Sequence, residues 1–190
     1  MKKIALSLLF TLSFIYASAQ MAEHKIIELK NIVTLTAEQE QQIRKLYTDY
    51  SKMNDSIYTN EKDPVAAARK KQEVSKNCHI GVMNVLSDQQ KVKYIQVIKT
   101  PEVMAKAESK IQVLRETNQY TEDELIVKKN EIFNYLMLEK VVYTRDKYNF
   151  AKQKENIAKL KLIKPNSLKE SETREKLKTQ GKVQNGNINW

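Results

Sequence analysis

The chain has little with which to build sheets or rigid loops. Glycine and proline each occur only three times in 190 residues, so tight hairpins lack their usual residues. Alternation of β-branched and polar side chains, as a half-buried strand requires, is scarce. Strands thus have little to be built from, and these shortages predict an all-α protein. Cysteine occurs once, at Cys78, which rules out an internal disulfide framework and leaves packing to hold the fold. With Val74 and Val82 at helical spacing from it, that thiol reads as a small buried hydrophobe, the alternative being pairing between chains.

Catalytic equipment is equally scarce. There is no Gly-rich phosphate loop, no nucleophile elbow and no H-E-x-x-H, and His24 and His79 are the only histidines, which leaves little general-base capacity. Cys78 and His79 are adjacent, so on a helix they point apart and make a poor metal pair. The carboxylates intermix with lysines as on a solvated helix face. The densest acidic run, Thr121-Glu122-Asp123-Glu124, is accounted for by a helix N-terminus, which favours negative charge. No enzyme activity, cofactor or metal site is expected.

The longest largely apolar run, Ile4 to Tyr16, would span about 20 Å as a helix, short of the ~30 Å hydrocarbon core. It follows Met1-Lys2-Lys3 and precedes Ala17-Ser18-Ala19, the charged start and small-residue end of a secretory signal peptide. We therefore expect a signal peptide over 1–19, cleavage after Ala19 and a soluble protein in the periplasm. No cysteine stands at the cleavage point, against a lipid anchor.

Charge is balanced over most of the chain. Residues 20–139 carry 18 basic and 18 acidic side chains, whereas 140–190 carry 13 and 5. The basic excess thus sits in the C-terminal part, which favours acidic partners or anionic surfaces.

What the sequence does contain is well-marked helix starts. In Leu35-Thr36-Ala37-Glu38-Gln39, the Thr36 hydroxyl can accept from the backbone N–H of Gln39 while the Gln39 side chain reaches back to the N–H of Thr36. Ile43, Leu46, Tyr47, Tyr50, Met53 and Ile57 then follow at helical spacing, so one stripe must be covered. The device returns in Leu86-Ser87-Asp88-Gln89-Gln90, ahead of Val92, Ile95 and Ile98. A third box is formed by Thr121 and Glu124, and a fourth by Ser167 and Glu170.

A twice-repeated L-T-x-x-Q resembles the mark of the Spy/CpxP family of small secreted helical bacterial proteins. The motif positions here are Leu35, Thr36 and Gln39, then Leu86, Ser87 and Gln90, with Ser replacing Thr in the second copy. The resemblance covers roughly residues 33–98. It implies a thin helical cradle, usually dimeric, that holds unfolded or envelope proteins without ATP; some relatives dock on a membrane sensor instead.

The remaining helices are read from punctuation and periodicity. Asp63-Pro64 starts a helix reaching about Val85; it has a thin apolar stripe and a basic cluster of Arg69, Lys70, Lys71 and Lys76. These four cations are the candidate client-binding residues. Gly81 near its end permits close approach of another helix. Thr100-Pro101 restarts or kinks the next helix, and residues 166–181, with only Leu168 and Leu177 large and apolar, make a helix that is marginal alone.

The expected organisation is a signal peptide (1–19), a leader (20–34) that is a short helix or lies along the domain, and a helical domain (35–150). A basic, partly helical or disordered tail (151–190) completes it. The fold class is an elongated all-α bundle or cradle of four to six unequal helices with a basic C-terminal extension. The function is expected to be chaperone-like binding of polypeptides, with a scaffold or sensor-docking role, or anionic-surface binding through the basic tail, as alternatives. Nucleic acid is not an expected partner, since secretion opposes it.

Overall fold

The structure is a computed structural model that describes residues 20–186, with side chains as far as residue 180. The expected signal peptide lies outside the described residues. No strand occurs among the described residues. The helices are α1 (20–30), α2 (Ala37–Asn60), α3 (Pro64–Val85), α4 (Asp88–Arg115), α5 (Glu122–Arg145), α6 (Phe150–Leu162) and α7 (Asn166–Gly186).

The all-α class is as the composition requires, but the helix count exceeds the expected range. The leader is helical over 20–30, and the segment after Phe150 is two helices with a break at Ile163–Pro165. The expected restart at Thr100-Pro101 does not divide the chain: Pro101 lies inside α4. A proline costs an isolated helix about 3 kcal/mol. Here Ile95 and Val103, on either side of it, are both buried, and packing on both flanks carries the helix through.

Two compact units are present, one ending at Tyr94 and the other starting at Ile95, so α4 contributes to both. In the first unit Ile26, Leu29, Val33, Ile43, Val82 and Leu86 form the core, with Leu35, Leu46, Tyr47, Cys78, Val85 and Tyr94 packed around it. Within the leader the buried set is Ala22, Ile26, Leu29 and Val33, spaced four, three and four apart as one helical face. Ile27, part of the apolar patch read from the sequence, is half exposed instead. Lys30 pairs with Glu40 at 2.7 Å and Arg44 pairs with Glu23, fixing α1 along α2. Gly81 faces Leu46 so closely that a Cβ there would lie 2.7 Å from Leu46 Cδ2, which is the close approach its lack of a side chain allows.

The second unit buries Val103, Ala107, Ile111 and Leu114 of α4, spaced at helical intervals, and Leu125, Ile132, Leu136 and Met137 of α5, with Lys129 paired to Glu108 at 2.5 Å and Lys140 paired to Glu102. α4 ends in a turn whose Asn118 has φ 53, a left-handed conformation that asparagine tolerates better than most residues. Thr121 then opens α5: its Oγ1 accepts from Glu124 N at 3.3 Å, and Glu124 accepts from Thr121 N at 2.8 Å.

α7 is held mainly by polar contacts. Among its described side chains the one buried apolar residue is Leu168, while Leu177 is exposed. Ser167 Oγ donates to Glu131 at 3.0 Å, Ser171 Oγ donates to the carbonyl of Lys110 at 3.0 Å, and Tyr120 donates to Glu170 at 2.6 Å. The expected cap at Ser167 is therefore corrected. The first turn is already begun by Pro165, whose carbonyl accepts from Leu168 and Lys169. Ser167 thus falls inside the helix, facing α5.

Candidate functional site

The two L-[TS]-x-x-Q segments meet in the first unit. At the first, Gln39 N donates to Thr36 Oγ1 at 3.1 Å, and Thr36 N donates to Gln39 Oε1 at 3.1 Å. At the second, Gln90 N donates to Ser87 Oγ at 3.2 Å, and Ser87 N donates to Gln90 Oε1 at 2.8 Å. The two side-chain amides then pair with each other: Gln39 Nε2 lies 2.9 Å from Gln90 Oε1, and Gln90 Nε2 lies 3.0 Å from Gln39 Oε1. Each amide also donates to a carbonyl two residues before the other's cap, Gln39 to Val85 O at 2.9 Å and Gln90 to Thr34 O at 2.6 Å.

Each glutamine therefore uses both donors and both acceptor positions of its amide. Glutamate, with no N–H to give, would complete only the local cap. Leu35 and Leu86 seat the pair on the core, Leu86 buried and Leu35 half-buried. The motif residues thus act as a clasp between the starts of α2 and α4, and Thr121 with Glu124 caps α5 in the other unit. The arrangement satisfies the side-chain amides of both glutamines within the clasp.

Beyond the clasp, α2 and α3 form an antiparallel pair whose cover thins. Between Ile43 and Val82 no residue of the pair is fully buried, because two helices alone cannot enclose an apolar stripe. Met53 and Val65 are 54% and 59% exposed, and Tyr58 is 82% exposed. An open groove of about 280 Å³ runs between the helices, lined by Met53, Ile57 and Val74, with Ser56, Lys70, Glu73 and Asn77 at its edges.

The four candidate cations are all exposed on α3. Lys70 sits on the groove and pairs with Glu61 at 2.6 Å. That hydrogen bond, with one from the Asp63 backbone, holds the Glu61 carboxyl below its usual range. Lys71 Nζ lies 5.6 Å from the centre of the Tyr58 ring, within cation–π range. Arg69 and Lys76 extend the positive charge along the helix. Sequence periodicity pointed to Met53 and Ile57 as core; it missed the groove because that depends on what does not pack above them.

Cys78 is half-buried, with Sγ 3.9 Å from the carbonyl of Leu46, and burial raises its thiol pKa. Burial likewise raises the phenols of Tyr47 and Tyr94 in the same unit. Among the described residues no cluster of three or more histidine, cysteine or acidic side chains is placed to hold a metal ion, and no helix is long and apolar enough to cross a membrane. Many cations of the C-terminal part are already engaged: Lys164 with Glu172, Lys159 with Glu155 at 2.6 Å, Arg174 with Glu170 at 2.8 Å, and Lys178 with Glu116.

Compared with protein-family models, with characterised proteins and with solved structures, the chain gives no match.

Proposed function

We propose that this is a non-enzymatic, ATP-independent holding protein of the periplasm that binds unfolded or partner polypeptides along the outer half of the α2–α3 pair. The observation that carries the reading is the incomplete cover of that pair. Met53, Tyr58 and Val65 stand more than half exposed, with Lys70 on the groove that Met53 lines and Lys71 over the Tyr58 ring, and Arg69 and Lys76 exposed on the same helix. Exposed apolar groups dispersed among cations suit loose capture of a chain that carries its own apolar and acidic residues. The cations raise the encounter rate, and the apolar groups supply a modest holding energy that permits release without nucleotide.

The resemblance to Spy/CpxP proteins, carried by Leu35, Thr36, Gln39, Leu86, Ser87 and Gln90, supports the same reading, as does the signal-peptide pattern over 1–19. The test is light scattering of a denatured client diluted into buffer with the protein and no nucleotide. Suppression at about equimolar protein is expected. Undiminished aggregation at a large excess would overturn the proposal.

A further inference from the structure

We infer that the groove between α2 and α3 selects one class of polypeptide segment, an amphipathic helix with acidic flanks, laid along the pair as a third helix. This rests on the holding role proposed above and names what is held. The groove is walled by two continuous helices, Ala37–Asn60 and Pro64–Val85. Their backbone N–H and C=O groups are bonded within their own turns, so the walls offer no strand edge and no main-chain partner. Polar side chains at the edges are few, and two are engaged. Ser56 Oγ accepts from Asn60 Nδ2 at 3.2 Å, and Lys70 is paired with Glu61 at 2.6 Å. An extended chain seated on Met53, Ile57 and Val74 would lose water from its peptide groups without finding new partners for them. A helix carries its backbone hydrogen bonds with it and presents only side chains.

The dimensions agree. Lys70 and Asn77 are the outermost lining residues on α3, seven positions apart, or about 10 Å of helix. That is also the rise from position i to position i+7 of a docked helix, the spacing of its apolar anchors. Charge then selects among such helices. At about 100° per residue, the outer flank of the groove carries Lys52 beyond Ser56 on α2, and Arg69 and Lys76 beyond Glu73 on α3, all exposed. Glu73 is the one acid among the lining residues, and Asp49, on the same side of α2 toward the clasp, is paired with Lys45 at 2.5 Å. A guest helix between these flanks has the positions beside its apolar stripe next to cations on both sides. Acidic residues there are attracted and basic ones repelled. Tyr58, about 140° around α2 from Met53, lies with Lys71 on the opposite face of the pair and takes no part.

The test uses the full chain and fluorescein-labelled synthetic peptides of about 20 residues. One has Leu at helical spacing with Glu on both flanks, the second is a scramble of the same composition, and the third has Lys in place of every Glu. Fluorescence anisotropy reads affinity, and circular dichroism reads the bound peptide. The acidic amphipathic peptide is expected to bind about tenfold or more tightly than either control and to gain helicity. Met53→Ser should weaken it several-fold, as should the combined changes Lys52→Gln, Arg69→Gln and Lys76→Gln, while Tyr58→Ser leaves it unchanged. Equal binding of the scramble or of the lysine peptide, a bound peptide without helix, or affinity that ignores Met53→Ser or the triple change would each overturn the inference. Loss of binding with Tyr58→Ser would place the guest on the other face and overturn it as well. Failure here is separable from failure of the holding role. A chain that suppresses client aggregation yet treats the peptides alike keeps that role and loses this inference, whereas absence of both suppression and peptide binding removes both.

Discussion

At the residue scale, the chain is organised by two glutamines. Gln39 and Gln90 each complete a local cap and, with the same amide, bridge to the other's helix start. Gln39→Glu keeps the acceptor for Thr36 N but loses both donors and sets a carboxylate against Gln90 Oε1 and Val85 O. We expect a loss of about 2–3 kcal/mol near neutral pH by urea unfolding, with part recovered at acid pH, where a protonated carboxyl can donate. A loss no larger than that of a surface substitution would contradict the clasp. Thr36→Ala and Ser87→Ala should each cost about 1 kcal/mol. The caps were legible in the sequence because they are formed three residues apart. The amide pair was not, because residues 39 and 90 meet only once α2, α3 and α4 are packed.

At the element scale, the helices with broad apolar stripes could be read directly, whereas α1 was legible only as one of two readings of the leader and α7 only as a helix marginal alone. The leader hides its helix because the buried residues of that segment, Ala22, Ile26, Leu29 and Val33, are few and interspersed with the less buried Ile27 and Ile32. α7 reads as marginal because its anchorage is Ser167, Ser171 and a set of ion pairs, which hydrophobic periodicity does not register. Ser171 is wholly buried, so Ser171→Leu should overpack the α4–α7 contact and destabilise by about 1–3 kcal/mol. Pro101 is exposed within α4, so Pro101→Ala should stabilise, by about 1–3 kcal/mol at most. A destabilised Pro101→Ala protein would mean the proline is required by the helix it interrupts.

The joint between α5 and α6 gives a pH signature. Burial alone would raise the Asp146 carboxyl, but hydrogen bonds from Arg145 and Asn156 and the charge of Arg145 outweigh it and hold the group below its ordinary value. A carboxyl lowered in the folded state contributes stability above its unfolded pKa, and that contribution is lost as pH falls through the folded one. Stability should therefore decline in acid below the ordinary aspartate range, and Asp146→Asn should be less stable at neutral pH yet show a shallower acid decline. An unchanged acid profile would remove Asp146 from the account.

At the scale of the whole molecule, the useful feature is where cover is missing. The all-α class followed from scarce glycine, proline and strand pattern. The outer α2–α3 pair could be suspected from the thin stripe of α3, but the exposure of Met53 and Tyr58 follows from the packing of the pair and not from periodicity. The central claim is that this surface holds unfolded chains. The direct measurement is the affinity of a permanently unfolded, fluorescently labelled client for the wild-type chain. It is compared with a variant carrying Met53→Ser, Val65→Ser, Lys70→Gln and Lys71→Gln, with helicity checked by circular dichroism. The account predicts measurable binding without nucleotide, weakened about tenfold or more in the variant at unchanged helicity. Equal affinity of the two proteins, or no binding by the wild type, would contradict it.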